Sequence, residues 1–126
     1  MIIGTGVDIV ENQRIEKLIK KYGDRFIEKL FLLSEADYCK DKAQYVSCFA
    51  ARYAAKEAAL KALGTGLRDN SWHDIEIFHS ELGKPEINLK GNAAEIAAKM
   101  GVKKIFVTIS HEQNYSIAQV ILEGED

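Results

Sequence analysis

Long apolar runs are missing from these 126 residues, and so are several signals that would narrow the chemistry at once. There is one proline and the nine glycines are dispersed, which leaves no linker or low-complexity tail. Two cysteines, Cys39 and Cys48, are too few for the disulfide framework of a small extracellular scaffold, and they form no metal-ligand pattern. Both lie in helical-looking sequence and read as reduced, buried thiols. With a formal net charge of -2 there is no global basic field to recruit nucleic acid. The apolar start, Met1 to Val10, is too short to span a bilayer, lacks a basic region ahead of it and is interrupted by Asp8. No membrane segment and no secretion signal are expected, and a cytoplasmic protein is. Without such a signal the glycosylation sequon at Asn114-Tyr115-Ser116 carries little meaning.

What is present suits one compact domain over residues 1–126, with 47% hydrophobic and 29% charged residues. Ile2 to Val10 is rich in β-branched residues and predicts a buried strand with Asp8 near its exit. Ile15, Leu18, Ile19 and Tyr22 recur at helical spacing behind a cap at Asn12, and Gly23 ends that stripe. Asp24 opens a second helix through Ile27, Leu30 and Phe31, and Ser34 with Asp37 resembles a capping box for a third. The longest helix is expected from about Ala43 to Leu63, its alanines permitting close approach of neighbouring elements. Gly64 stops it, and Gly64-Thr65-Gly66 with the polar stretch to Ser71 reads as a loop. The period then changes to two: Ile75 and Ile77, Ile87 and Leu89, Ile105 to Ile109, and Ser116 to Leu122 read as strands. Gly83-Lys84-Pro85 turns between the first two, and Asn92 caps a short helix before Gly101. The sum is α+β, an early strand and helices followed by a largely antiparallel sheet.

Chemistry concentrates at few positions. A carboxylate at Asp8, flanked by Val7 and Ile9, must be paired, hydrogen-bonded or metal-bound. Glu57 shares a helix face with Tyr53 and Lys61. Two carboxylates on one hard cation, with Lys61 a turn further on for phosphate, is one arrangement; Mg2+ commonly takes one or two carboxylates together with substrate phosphate and water. A buried Asp8 paired with a cation, beside a Glu57–Lys61 surface pair, is the commoner one on residue chemistry alone. Gly4-Thr5-Gly6 lies inside the strand and lacks the third glycine of a dinucleotide fingerprint, so backbone accommodation explains it. Gly64-Thr65-Gly66 could also present amides to a phosphate. Arg14, Lys17, Lys20, Lys21, Arg25 and Lys29 surround Phe26 as either a solvated face or a dock for an acidic partner. Trp72 and His73 read as core and rim.

Four blocks carry a resemblance across nearly the whole chain: Gly4-Thr-Gly-Val-Asp8-Ile-Val-Glu11 with Arg14-Ile15; Phe49-Ala-Ala-Arg52-Tyr-Ala-Ala-Lys56-Glu57-Ala-Ala-Leu-Lys61-Ala-Leu-Gly64-Thr-Gly66; Gly83-Lys84-Pro85; and Ile109-Ser110-His111. Together they resemble the holo-acyl-carrier-protein synthase family of phosphopantetheinyl transferases. The resemblance implies a 4'-phosphopantetheinyl transferase-like fold. It also implies transfer of phosphopantetheine from coenzyme A to a serine of apo-acyl carrier protein, releasing 3',5'-ADP in support of fatty acid biosynthesis. Mg2+ on Asp8 and Glu57, and a homotrimer with active sites between subunits, come with it. By the same resemblance Lys61 stabilises phosphate and the leaving group, while Arg52, Gly64, Pro85, Ser110 and His111 contact coenzyme A. Arg52 suits a phosphate on the ribose and Pro85 the adenine side. Arg14, Lys21, Arg25 and Phe26 are the expected carrier-protein contacts, and the proton acceptor is left between Glu57 and water at the metal. A Mg2+-dependent pyrophosphate hydrolase and a non-catalytic module docking an acidic protein are the alternatives; carrier-dependent release of 3',5'-ADP separates all three.

Overall fold

The computed structural model describes residues 1–67 and 70–126. The Arg68-Asp69 portion of the expected loop lies outside the described residues. Strand β1 (Ile2–Glu11) is followed by three short helices, α1 (Asn12–Tyr22), α2 (Asp24–Leu30) and α3 (Leu33–Lys40), and by the long α4 (Tyr45–Leu63). A single 3-10 turn, Trp72–Asp74, leads into β2 (Ile75–His79) and β3 (Pro85–Leu89); α5 (Gly91–Met100), β4 (Lys104–His111) and β5 (Tyr115–Glu123) complete the chain. Two antiparallel sheets result, one ordered β1-β5-β4 and one of β2 with β3. The α+β expectation holds, with the strands divided between two sheets.

Helix α4 forms the centre of the core. Its alanines at positions 50, 51, 54, 55, 58, 59 and 62 are all buried. They let the helix lie directly on β1, whose glycines complete the fit. A Cβ on Gly4 would run into the Ala62 carbonyl, and one on Gly6 into the Ala58 carbonyl. The Gly4-Thr5-Gly6 segment is therefore a packing device. At its far end α4 stops at Gly64, whose φ of 78° favours glycine.

Several local expectations are corrected. Asn12 does not cap α1: Glu11 occupies that place, and the Asn12 amide donates to the carbonyls of Glu112 and Gln113 while its oxygen accepts from Ser116. The β4–β5 hairpin has claimed the capping side chain. Helix α3 is opened by the Glu35 carboxylate accepting from the Leu32 amide at 2.8 Å, in place of a Ser34–Asp37 box. Helix α5 begins at Gly91, with Lys90 at the cap position, so Asn92 is already inside it. Cys39 and Cys48 are not thiols but a disulfide joining α3 to α4, with Cα atoms 5.6 Å apart. Helical periodicity places each cysteine on its own helix and is silent about two helix ends meeting.

The partner of that Glu35 carboxylate is Lys56. Both side chains are wholly buried and 2.8 Å apart. The Lys56 ammonium also donates to the carbonyls of Trp72 and Ile75, and Glu35 accepts from the Ile77 amide. All three ammonium hydrogens have acceptors, which offsets the desolvation that holds Lys56 below its ordinary value. The pair ties α3, α4 and the start of β2 together.

Candidate active site

Asp8 points to the α4 side of the sheet because it alternates with Val7 and Ile9, which are exposed on the other face. There it meets Lys61, whose ammonium lies 2.9 Å from Asp8 Oδ1 and 3.0 Å from the Val7 carbonyl. The surface ion pair between Glu57 and Lys61 does not form; Lys61 reaches across to β1. Glu57, one turn earlier, interacts electrostatically with Asp8 and with Tyr53 on the turn before it. Burial first, and then the Asp8 charge, push the Glu57 carboxyl above its ordinary value, against opposing pulls from Lys61 and Arg14. Glu57, Lys61 and Gly64 line one shallow cleft with Leu60, Gly66 and Leu67.

A second group gathers elsewhere. Arg52, Pro85 and His111 line a cleft with Tyr38, Lys42 and His79. Arg52 and Glu57 are five residues apart on α4, about 140° around the helix. Asp8 is on β1 and His111 on β4, the two edges of a sheet with β5 between them, about 10 Å apart at ordinary strand spacing. Ser110 joins neither cleft. It lies on the outer face of the sheet in a rung with Ile9 and Ile117.

The basic residues divide too. Arg14, Arg25 and Phe26 line one groove between α1 and α2, floored by Ile15, Leu18 and Leu30. Tyr53, one turn before Glu57 on α4 and interacting electrostatically with it, lines the same groove, so the groove runs up to the acidic pair. Lys21 is not in its lining; the ammonium sits 5.3 Å over the neighbouring Tyr22 ring. Trp72 packs against the core 5.4 Å from the Tyr53 ring, and His73 bonds the Glu28 carbonyl at the rim.

Residues 4–120 match the sequence profile described as the 4'-phosphopantetheinyl transferase superfamily. The chain belongs to that superfamily. Among phosphopantetheinyl transferase relatives, it is 46% identical over 124 residues to the holo-[acyl-carrier-protein] synthase of Koribacter versatilis (strain Ellin345), covering 98% of this chain and 99% of that one. The holo-[acyl-carrier-protein] synthase from Neisseria meningitidis has the same fold at a TM-score of 0.88 and 37% identity, over 98% of this chain and 99% of that one. The Helicobacter pylori holo-[acyl-carrier-protein] synthase, solved in complex with coenzyme A, superposes at a TM-score of 0.84 and 35% identity, over 94% of this chain and 99% of its own.

Three features of these clefts had little or no signal in the sequence. Tyr38 and His79 come from α3 and β2 to flank Arg52, and Lys42 comes from the connection between α3 and α4. None has a distinctive neighbour in sequence. Only the shared face of Tyr53 and Glu57, four residues apart, was available to periodicity.

Proposed function

We propose that this chain transfers 4'-phosphopantetheine from coenzyme A to a serine of apo-acyl carrier protein, yielding holo-carrier protein and 3',5'-ADP, in support of fatty acid biosynthesis. The observation that carries the reading is the meeting of Asp8 from β1 with Glu57 and Lys61 from α4. Membership of the superfamily and the likeness to a synthase solved with coenzyme A support it.

In this reading Asp8 and Glu57 hold Mg2+. The donor set fits: two carboxylate groups whose mutual repulsion a divalent cation relieves, and a sparse protein shell of the kind Mg2+ accepts. When bound, the ion neutralises charge developing on the donor's diphosphate as the phosphorus–oxygen bond to the nucleotide breaks. Lys61, held beside Asp8, binds phosphate and stabilises the departing nucleotide. The serine proton passes to Glu57 or to water. Gly64 ends α4 in the same cleft and brings backbone close to the phosphates. Arg52 takes the ribose phosphate, Pro85 the adenine side, and Ser110 and His111 complete the donor's surroundings.

Residues 1–126 act as one domain in a cytoplasmic homotrimer with active sites between subunits. One hydrophobic cluster supports the single domain. The division of donor-binding residues between opposite sheet edges supports shared sites. So does the outer sheet face, which leaves Val7, Ile9, Phe106 and Ile117 exposed. Among the described residues no helix is long and apolar enough to cross a membrane. In a reducing cytoplasm the Cys39–Cys48 bond would stabilise the chain only while oxidised. The carrier docks along Arg14, Arg25 and Phe26, an apolar floor rimmed by cations, with Lys21 at its border.

The test is intact-mass measurement of apo-carrier proteins incubated with the chain, Mg2+ and coenzyme A. One phosphopantetheine on one serine is expected. Absence of that gain with several competent carriers, or 3',5'-ADP release without a carrier, defeats the proposal. Mixing the impaired Asp8→Ala and Arg52→Ala proteins under subunit exchange should recover part of the coenzyme A-dependent activity if sites are shared.

A further inference from the structure

Arg52 is only 3% exposed, yet its guanidinium forms part of a cleft wall. One terminal nitrogen lies 3.0 Å from His79 Nδ1, and the other donates to Cys48 Sγ at 3.4 Å. Its Nε has no hydrogen-bond partner among the described residues. The Tyr38 ring lies 4.2 Å from the guanidinium carbon, and it stacks on His79 at 4.7 Å with the planes 8° apart. Arginine carries donors only. The His79 Nδ1 is therefore the acceptor, the ring is neutral, and its proton is on Nε2.

The surroundings keep it so. Tyr38 from α3, Lys42 from the α3–α4 connection, Arg52 from α4 and His111 from β4 line the cleft with His79. The paired residue on β3 is the uncharged Pro85. Burial, then Arg52 and Lys42, hold His79 below its ordinary value, and no carboxylate among the described residues opposes them. Cys48 sulfur is a weak acceptor, so among the described residues the 3.0 Å bond to His79 Nδ1 is the shorter and stronger of the two that orient this buried fork, with the Tyr38 side chain as a further polar neighbour.

We propose that His79 is a positioning residue for the donor site: through its Nδ1 acceptor and its stack on Tyr38 it aims the Arg52 guanidinium into the cleft, and so sets the preference for a donor carrying a ribose phosphate. The inference rests on the reading of Arg52 as the residue that takes that phosphate. A bidentate guanidinium–phosphate contact depends on the orientation of the fork, and an arginine free to turn loses the preference while keeping its charge.

The experiment measures kcat and KM of the full-length chain with coenzyme A and with the same donor lacking its ribose phosphate. His79→Phe keeps a ring against Tyr38 but has no acceptor; His79→Asn keeps an acceptor near the Nδ1 place. Phe should raise KM for coenzyme A about tenfold, the order expected for losing a hydrogen bond to a charged group. It should leave kcat and the KM of the phosphate-lacking donor near wild type, and Asn should restore most of the preference. Arg52→Ala should abolish the preference, and adding His79→Phe to it should change nothing further. If Arg52→Ala abolishes the preference but His79→Phe retains it, or if Asn fails as badly as Phe, the role of His79 is refuted while that of Arg52 stands. If Arg52→Ala keeps the preference, the phosphate reading falls and this inference with it. Nitrogen chemical shifts of wild-type His79 give a test independent of variant folding: a proton on Nδ1 overturns the proposal.

Discussion

Lys61 binds Asp8 across the β1–α4 contact, at 2.9 Å, and not Glu57 on the preceding turn of its own helix. The lysine is half exposed and the aspartate only 16% exposed. One cation thus pairs directly with Asp8, while burial and the Asp8 charge raise Glu57 against smaller pulls from Lys61 and Arg14. That imbalance underlies the first two predictions.

Replacing Asp8 or Glu57 by Ala should lower the transfer rate about a hundredfold or more, the order seen when a preorganised charge is removed from a reaction centre. Far-ultraviolet circular dichroism should be unchanged. Full activity in both variants would reject the assignment of the acidic pair. Lys61→Ala should reduce kcat and leave the carrier KM near wild type.

Glu57 also makes a pH prediction. Its folded-state pKa is raised above the ordinary 4.5, so the native state binds more protons than the unfolded state between those values. Without divalent ions its contribution to stability should fall as pH rises from 4.5 through the folded value, then level off. Glu57→Gln should remove that part of the slope from a plot of Tm against pH. Mg2+ should raise Tm more at neutral pH than at pH 4.5 in the wild type, and little in the Gln variant. A wild-type slope retained by Gln would contradict the assignment.

The Glu35–Lys56 pair is fully enclosed. Lys56→Ala should cost about 3–5 kcal/mol in urea unfolding, since it strands a buried carboxylate. Replacing both partners by apolar residues of similar size should cost less than the single change. Equal losses would mean that packing, and not the isolated charge, dominates.

Gly6 has the helix backbone against it. Gly6→Ala should lose about 1–3 kcal/mol, as other overpacked sites do. Because the same contact holds Asp8 toward Glu57 and Lys61, kcat should drop more than that of an equally destabilised variant elsewhere in the core. A stable, fully active Gly6→Ala protein would show that β1 and α4 separate without consequence.

Reducing the Cys39–Cys48 bond should lower stability by about 2–3 kcal/mol, from the chain entropy returned to the unfolded state. Thermal melting with and without dithiothreitol measures it, and a Cys39→Ala/Cys48→Ala protein should be indifferent to the reductant. An identical wild-type Tm in both conditions would argue against the crosslink.

Much of this architecture could be read along the chain. The alanines of α4, the alternation of β4 and β5 and the stop at Gly64 are near-neighbour properties. They appear where expected, with α4 starting at Tyr45. Caps were less legible. Asn12 looks like a cap until the hairpin residues Glu112, Gln113 and Ser116 take its side chain. Asp8, Glu57 and Lys61 stood out as residue types, while Arg52 and His111 became candidates only through the family resemblance. The division of the candidate site into two clefts was not legible, because it depends on which sheet edge each strand occupies.

By itself the sequence determined which segments are helix and strand, and which acidic and basic residues are available for chemistry, since periodicity, β-branching and glycine stops act within a few residues. Only the tertiary structure decided that Lys61 answers to Asp8, that Cys39 bonds Cys48, that Lys56 is sealed with Glu35, and that His79 holds Arg52. Each of those pairings spans at least nine residues. It exists because packed elements bring the two side chains within bonding distance, which short-range order along the chain does not specify.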